Sequence, residues 1–144
     1  MKQLVRGFLW VVMLFAVVTA MWHYRVAKHD QTIPWNTDLT ISQQQAVKSG
    51  KPLLLEVSAT WCSPCQRMNM TTLRDPEVVR LLHQYVLVSI DFDNQPKLVH
   101  ELNITSIPCF FVADARTGRI LRENRAGLLA PKDFCDWLTH NEEQ

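Results

Sequence analysis

Apolar and polar positions divide the chain into three unequal parts. Residues Phe8 to Trp22 (FLWVVMLFAVVTAMW) carry no charge, and Lys2 and Arg6 precede them. A run that is apolar all round, at the extreme N-terminus and behind basic residues, reads as an export signal or a membrane anchor rather than a buried core helix. A spanning helix needs about 20 residues. Counting from Leu4, with Arg6 snorkelling to the interface, brings the segment close to that length. Trp22 and Tyr24 then stand where an interfacial aromatic belt belongs, with Arg25 just outside it. Val18-Thr19-Ala20 offers the alternative of signal cleavage. Either way residues 1–22 form an anchor or signal segment, and the rest is expected outside the cytoplasm. Residues 23–35 (HYRVAKHDQTIPW) are polar and aperiodic, a linker able to reach roughly 40 Å at about 3.3 Å per residue.

Residues 36–144 alternate between short apolar runs and helical spacing. Ser42 suits an N-cap for a helix over 43–49, with Gly50 as its stop. Leu53 to Ser58 follows Pro52 as an apolar run suited to a strand buried on both faces. Pro64 suits a helix start, continued over 63–70. Asp75-Pro76 is a second start, cap plus proline, with Val78, Val79, Leu81 and Leu82 as its apolar face. Val86 to Phe92 reads as another buried strand and 95–102 as a helix. Cys109–Ala113 and Arg119–Arg122 suit two strands joined through Thr117-Gly118. Pro131 opens a last helix with Phe134, Leu138 and Cys135 toward the core. The order (β)αβαβαββα is that of an α/β domain: parallel strands with right-handed crossovers, a closing antiparallel hairpin, and helices on both faces of a mixed sheet.

Composition narrows the functional classes. Of 144 residues 47% are apolar, enough for a real core. The net charge is +1. Lys2 and Arg6 belong to the leading segment, which leaves 13 basic against 14 acidic residues from His23 onward. Nothing in that balance suits nucleic acid, and partners should be met by shape and thiol chemistry rather than by strong steering.

Four cysteines are present: Cys62, Cys65, Cys109 and Cys135. Trp61-Cys62-Ser63-Pro64-Cys65 lies between an expected strand and an expected helix. Thiols three positions apart in a first helical turn can approach closely enough for a disulfide. The first sits at the helix N-terminus, where unpaired N–H groups and the dipole favour a thiolate. Cys62 is thus the expected nucleophile, and Cys65, one turn inside, the resolving thiol. The alternative is half of a zinc site. That needs two further ligands, and His23, His29, His83, His100 and His140 show no ligand spacing, so no metal is expected. Glu56 lies inside the apolar Leu53–Val57 run, where burial would raise its pKa and suit it to exchange a proton with Cys65. Cys109 and Cys135 read as small core residues, with a second redox thiol at Cys109 as the alternative.

From about Lys51 to Leu138 the chain resembles the thioredoxin superfamily, and most of all the C-terminal thioredoxin-like domain of bacterial transmembrane thiol:disulfide interchange reductases. The matching residues are Lys51-Pro52, Ala59-Thr60-Trp61-Cys62-Ser63-Pro64-Cys65, Asp75-Pro76-Glu77-Val78, Asp91, Ile107-Pro108 and Gly118. The resemblance implies a thioredoxin fold and a cis Pro108 packed against the thiols. It also implies that Ile107 and Pro108 form a rim that pairs with extended substrate backbone, beside Trp61, Ser63 and Pro64. A buried acid at the offset of Glu56 is similarly found in thioredoxin-like proteins, often with a lysine near the position of Ser89, which this chain lacks. The expected activity is reduction of protein disulfides through the Cys62/Cys65 cycle, with no cofactor. The implied setting is the bacterial inner membrane with a periplasmic C-terminal domain, or the soluble periplasm after cleavage, fed by a membrane electron-donor reductase. The rivals are a thiol oxidase or isomerase, and a non-catalytic binding or metal-binding module.

Overall fold

The computed structural model describes residues 10, 12–19 and 33–139, without the side chains of Glu123 and Asn124. The chain divides into two units, 1–32 and 33–144. In the first, residues 12–19 are helical and Trp10, Met13, Leu14 and Phe15 are exposed. Among the described residues no helix is long and apolar enough to cross a membrane. Ala20, Trp22, Tyr24, Arg25 and the linker up to residue 32 lie outside the described residues.

The second unit begins with Ile33 and Trp35, both packed against the core. Asn36 follows as a single parallel bridge to Val88. Helix α1 spans Leu39–Ser49 and starts earlier than its sequence suggests. The cap is Asp38, whose carboxylate accepts the Ile41 N–H at 2.9 Å. Ser42 lies inside the helix instead, buried, its hydroxyl donating to the Asp38 carbonyl at 2.6 Å. Gly50 closes α1 at φ 70°, a conformation that favours glycine.

Strand β1 (Leu53–Ser58) runs parallel to β2 (Val86–Asp91) and antiparallel to β3 (Cys109–Ala113), which pairs antiparallel with β4 (Ile120–Ala126). The sheet order is β2-β1-β3-β4. Helix α2 (Ser63–Met70) follows β1, and a 3₁₀ turn (Thr72–Arg74) leads to α3 (Pro76–Leu82). Helix α4 (Pro96–Glu101) links β2 to β3, and α5 (Pro131–Thr139) ends the described chain. Strand β4 runs four residues past the expected end at Arg122. Its polar residues sit on an outer strand, so no hydrophobic alternation marks them.

Strand side chains alternate between faces, and β1 is buried on both. Leu53, Leu55 and Val57 share one core with Val88, Ile90 and Phe111, covered by Ala46 of α1 and Val99 of α4. Leu54 shares the other with Leu87, Phe110 and Val112, covered by Met68 of α2, Val78 of α3 and Phe134 of α5. Tyr85 Oη donates to the Leu138 carbonyl at 2.9 Å, and the Arg122 guanidinium donates to both, tying α5 to β4.

Candidate active site

The dithiol sits where β1 gives way to α2. Cys62 is the N-cap, its backbone extended, and Pro64 stands in the first turn where its missing N–H costs nothing. The Cys62 N–H donates to Ala59 O at 3.1 Å, which shapes the turn out of β1. Cys62 and Cys65 are joined as a disulfide, with their Cα atoms 5.3 Å apart. The Cys65 N–H donates to Cys62 Sγ at 3.2 Å. A helix-start N–H aimed at this sulfur would stabilise negative charge on it once the disulfide is reduced. Exposure is 3% for Cys62 and 1% for Cys65, whereas Trp61 is 63% exposed.

Two hydrogen bonds brace the turn carrying Cys62. Gln66 Nε2 donates to Thr60 O at 2.7 Å. Trp61 Nε1 donates to Asp93 Oδ2 at 2.7 Å, and its ring meets Phe92 edge-on at 6.3 Å. Asp93 is held in turn by Asp91, whose Oδ1 accepts the N–H groups of Asp93 and Asn94 at 3.0 and 2.9 Å. An exposed tryptophan is thereby fixed beside the dithiol. Sequence reasoning missed both Gln66 and Asp93. Asp93 and its partner Trp61 lie 32 positions apart, and the only local signal was the turn-forming run Asp91-Phe92-Asp93-Asn94.

Opposite the thiols, the Ile107–Pro108 peptide is cis, as the resemblance implies. Pro108 is buried, and Ile107 packs partly buried against Ala59, Cys62 and Cys65 together with Phe92. Ser63 and Pro64 are exposed at the helix start. The structure thus packs Ile107 against Cys62 and Cys65, with Phe92 shared between that cluster and the Trp61 ring.

Glu56 lies on β1 with 2% exposure, paired in register with Ser89 of β2 and Phe110 of β3. By strand alternation it points to the same face as Leu54, the face that α2 covers. Its Oε1 meets no hydrogen-bond donor among the described residues. Burial alone pushes the carboxyl up to about 7, because nothing cationic offsets the loss of water. Cys109 is also fully buried, toward the α1 and α4 core, and burial pushes its thiol up to about 12. It remains a protonated packing group at neutral pH. Cys135 is half-buried in α5. Among the described residues no three His, Cys, Asp or Glu side chains come together to hold a metal ion.

Sheet order, crossover pattern and a dithiol astride a helix start place the protein in the thioredoxin class of thiol–disulfide oxidoreductases. The chain belongs to the thioredoxin-like family, whose model matches residues 34–115. Among its curated relatives is the thiol:disulfide interchange protein DsbD of Cronobacter sakazakii, 30% identical over 100 residues, or 67% of this chain and 17% of the relative. The protein of that name from Actinobacillus pleuropneumoniae serotype 5b is 25% identical over 103 residues, covering 68% and 18%. The chain therefore spans less than a fifth of the length of these relatives. Among solved structures, the oxidised C-terminal domain of Neisseria meningitidis DsbD superposes with a TM-score of 0.63 at 27% identity, covering 75% of this chain and 99% of that domain. A thioredoxin from Thermus thermophilus shares the fold, with a TM-score of 0.64 at 22% identity.

Proposed function

We propose that the protein is an exported reductase of protein disulfides, held at the bacterial inner membrane by residues 1–22 and carrying a thioredoxin-like domain over 36–144 on the linker 23–35. The observation that carries the chemistry is the Cys65 N–H directed at Cys62 Sγ at the start of α2. In the reduced protein Cys62, as thiolate, attacks one sulfur of a substrate disulfide. The S–S bond breaks, one substrate thiolate leaves, and a mixed disulfide forms on Cys62. Cys65 loses its proton to Glu56 and attacks Cys62 Sγ. The second substrate thiolate leaves and takes up a proton, and the Cys62–Cys65 disulfide remains. Substrate disulfide gains two electrons and the protein dithiol loses two. A membrane dithiol reductase must restore them, and the DsbD relatives support a donor of that class. Ile107, Pro108, Trp61, Ser63 and Pro64 form the surface that receives extended substrate backbone.

The reducing direction rests on the Ser63-Pro64 dipeptide, which offers no histidine to stabilise the thiolate further. Equilibration with glutathione tests it. A potential nearer roughly −270 mV than roughly −120 mV supports the reductase, and one above about −180 mV favours an oxidase or isomerase. Trapping with Cys65→Ser tests the cycle, because partners should then accumulate as mixed disulfides on Cys62. A C-terminal alkaline phosphatase fusion tests export: activity is expected, and an inactive fusion paired with a fluorescent cytoplasmic reporter at the same position reverses the topology.

A further inference from the structure

We propose that Gln66 is a positioning residue of the dithiol, clamping the Thr60–Cys62 turn so that Cys62 Sγ stays at the Cys65 N–H after the disulfide is opened. The inference rests on the Cys62/Cys65 exchange of the reading above, though not on its direction.

Residue 66 holds the turn at two points. Its backbone N–H donates to Cys62 O at 3.1 Å, the bond that joins the N-cap to α2. Its side-chain Nε2 donates to Thr60 O at 2.7 Å. The two accepting carbonyls stand one before and one after Trp61. A single helix residue thereby fixes the chain on both sides of that tryptophan, and with it the direction in which Cys62 enters α2. The Trp61–Asp93 bond differs in kind, because it holds the indole and not the peptide.

The backbone bond is available to any residue but proline at this position. The side-chain bond needs a donor on a stem of this length. Gln66 and Thr60 are both exposed, so water competes for the bond and it adds little to overall stability. Its effect is concentrated on one redox state. In the oxidised protein a covalent link holds Cys62 to Cys65. Reduction removes that link, the two sulfurs separate, and the hydrogen bonds of the turn take over the placing of Cys62 Sγ. The Cys65 N–H, 3.2 Å from that sulfur, and the helix dipole favour the thiolate only within the first turn. A turn free to swing carries the sulfur out of their reach and raises its pKa. Gln66 is neutral, so it acts through geometry and adds no charge beside the sulfur.

The test compares the reduced full-length protein with Gln66→Ala and Gln66→Met, the second of which keeps length and helix propensity but has no donor. Alkylation of Cys62 is followed against pH and resolved from the other cysteines by peptide mass. In both variants the Cys62 pKa should rise, and alkylation at pH 7 should slow about threefold, the worth of one exposed hydrogen bond. The glutathione equilibrium should move toward the protein disulfide, because the reduced form alone loses the placement of its thiolate. Gln66→Arg restores a donor, and at about 1 M salt, where its charge is screened within about 3 Å, it should return the wild-type pKa. An unchanged Cys62 pKa in Gln66→Ala overturns the proposal, and so does a loss of urea stability that is equal in the oxidised and reduced forms. A wild-type pKa in Gln66→Met overturns it as well, since bulk and not the donor would then matter. If Cys65 alkylates faster than Cys62 in the wild type, the exchange reading falls first. A fast Cys62 that is indifferent to Gln66 removes this inference alone.

Discussion

Glu56 holds an ionisable group where water does not reach, and its titration has two separable consequences. In the unfolded chain the carboxyl titrates near 4.5, in the fold near 7. Across that window the folded protein keeps a proton the unfolded chain releases. The favourable contribution is complete below about 4.5 and is lost as pH rises through about 7, a loss of about 3 kcal/mol. Urea unfolding of the oxidised protein at pH 5 and pH 8 should show this loss, and Glu56→Gln should flatten it. Glu77 and Asp114, held low by hydrogen bonds, act in the opposite sense and only at more acid pH. The second consequence is kinetic. Glu56→Gln should leave attack by Cys62 nearly intact and slow resolution by Cys65, by up to about 10²-fold if no water substitutes. Single-turnover rates matching wild type across pH 6–9 would remove the proton-exchange role. Asp93 acts at one remove, through Trp61. Asp93→Ala should raise the KM for protein disulfides about fivefold, the equivalent of one hydrogen bond of about 1 kcal/mol. It should also increase quenching of tryptophan emission by iodide. Asp93→Asn keeps an acceptor oxygen and should reverse both changes.

Elements were legible where one short stretch decided them. Leu53–Ser58 is apolar but for Glu56 and the terminal Ser58, is bounded by Pro52, and is the doubly buried strand. Asp75-Pro76 carries its own start signal: the Asp75 carboxylate accepts the N–H groups of Glu77 and Val78 at 2.9 and 3.3 Å. Asp75→Ala should therefore cost about 1 kcal/mol, measured by urea unfolding. Two competing capping residues within five positions hid the start of α1. Asp38 won because its carboxylate reaches Ile41 while Ser42 is drawn into the core. The extent of β4 was not legible, because an outer strand with Arg122 and Arg125 in register with β3 needs no apolar face of its own. The dithiol and its partner proline were readable from motif and resemblance. The Asp93 contribution was not, since it depends on chain segments brought together only by the fold.

At the scale of the molecule, the residues just ahead of α1 do more than lead into the domain. Ile33 and Trp35 pack against the core with Tyr85 and Trp137, and Asn36 joins β2 through its N–H to Leu87 O and its carbonyl to Ser89 N–H, at 3.0 and 2.8 Å. A shortened chain starting at Thr37 loses both side chains and both bonds. It should unfold at lower urea than one starting at Gln31, by about 2 kcal/mol, with the glutathione equilibrium unchanged. Stability that did not differ between the two would make this stretch a mere lead-in.

The Asn36 bridge carries a consequence for self-association. Fibrous growth by strand addition requires every molecule to present two open margins, one to receive and one to offer. Here Asn36 occupies part of the β2 margin with its own backbone, and arginines and an irregular register guard the margin at β4. Strand addition is thereby hindered at both margins. Under the proposed exchange role, a sheet with few open strand partners leaves the thiols as the point of attachment to another chain.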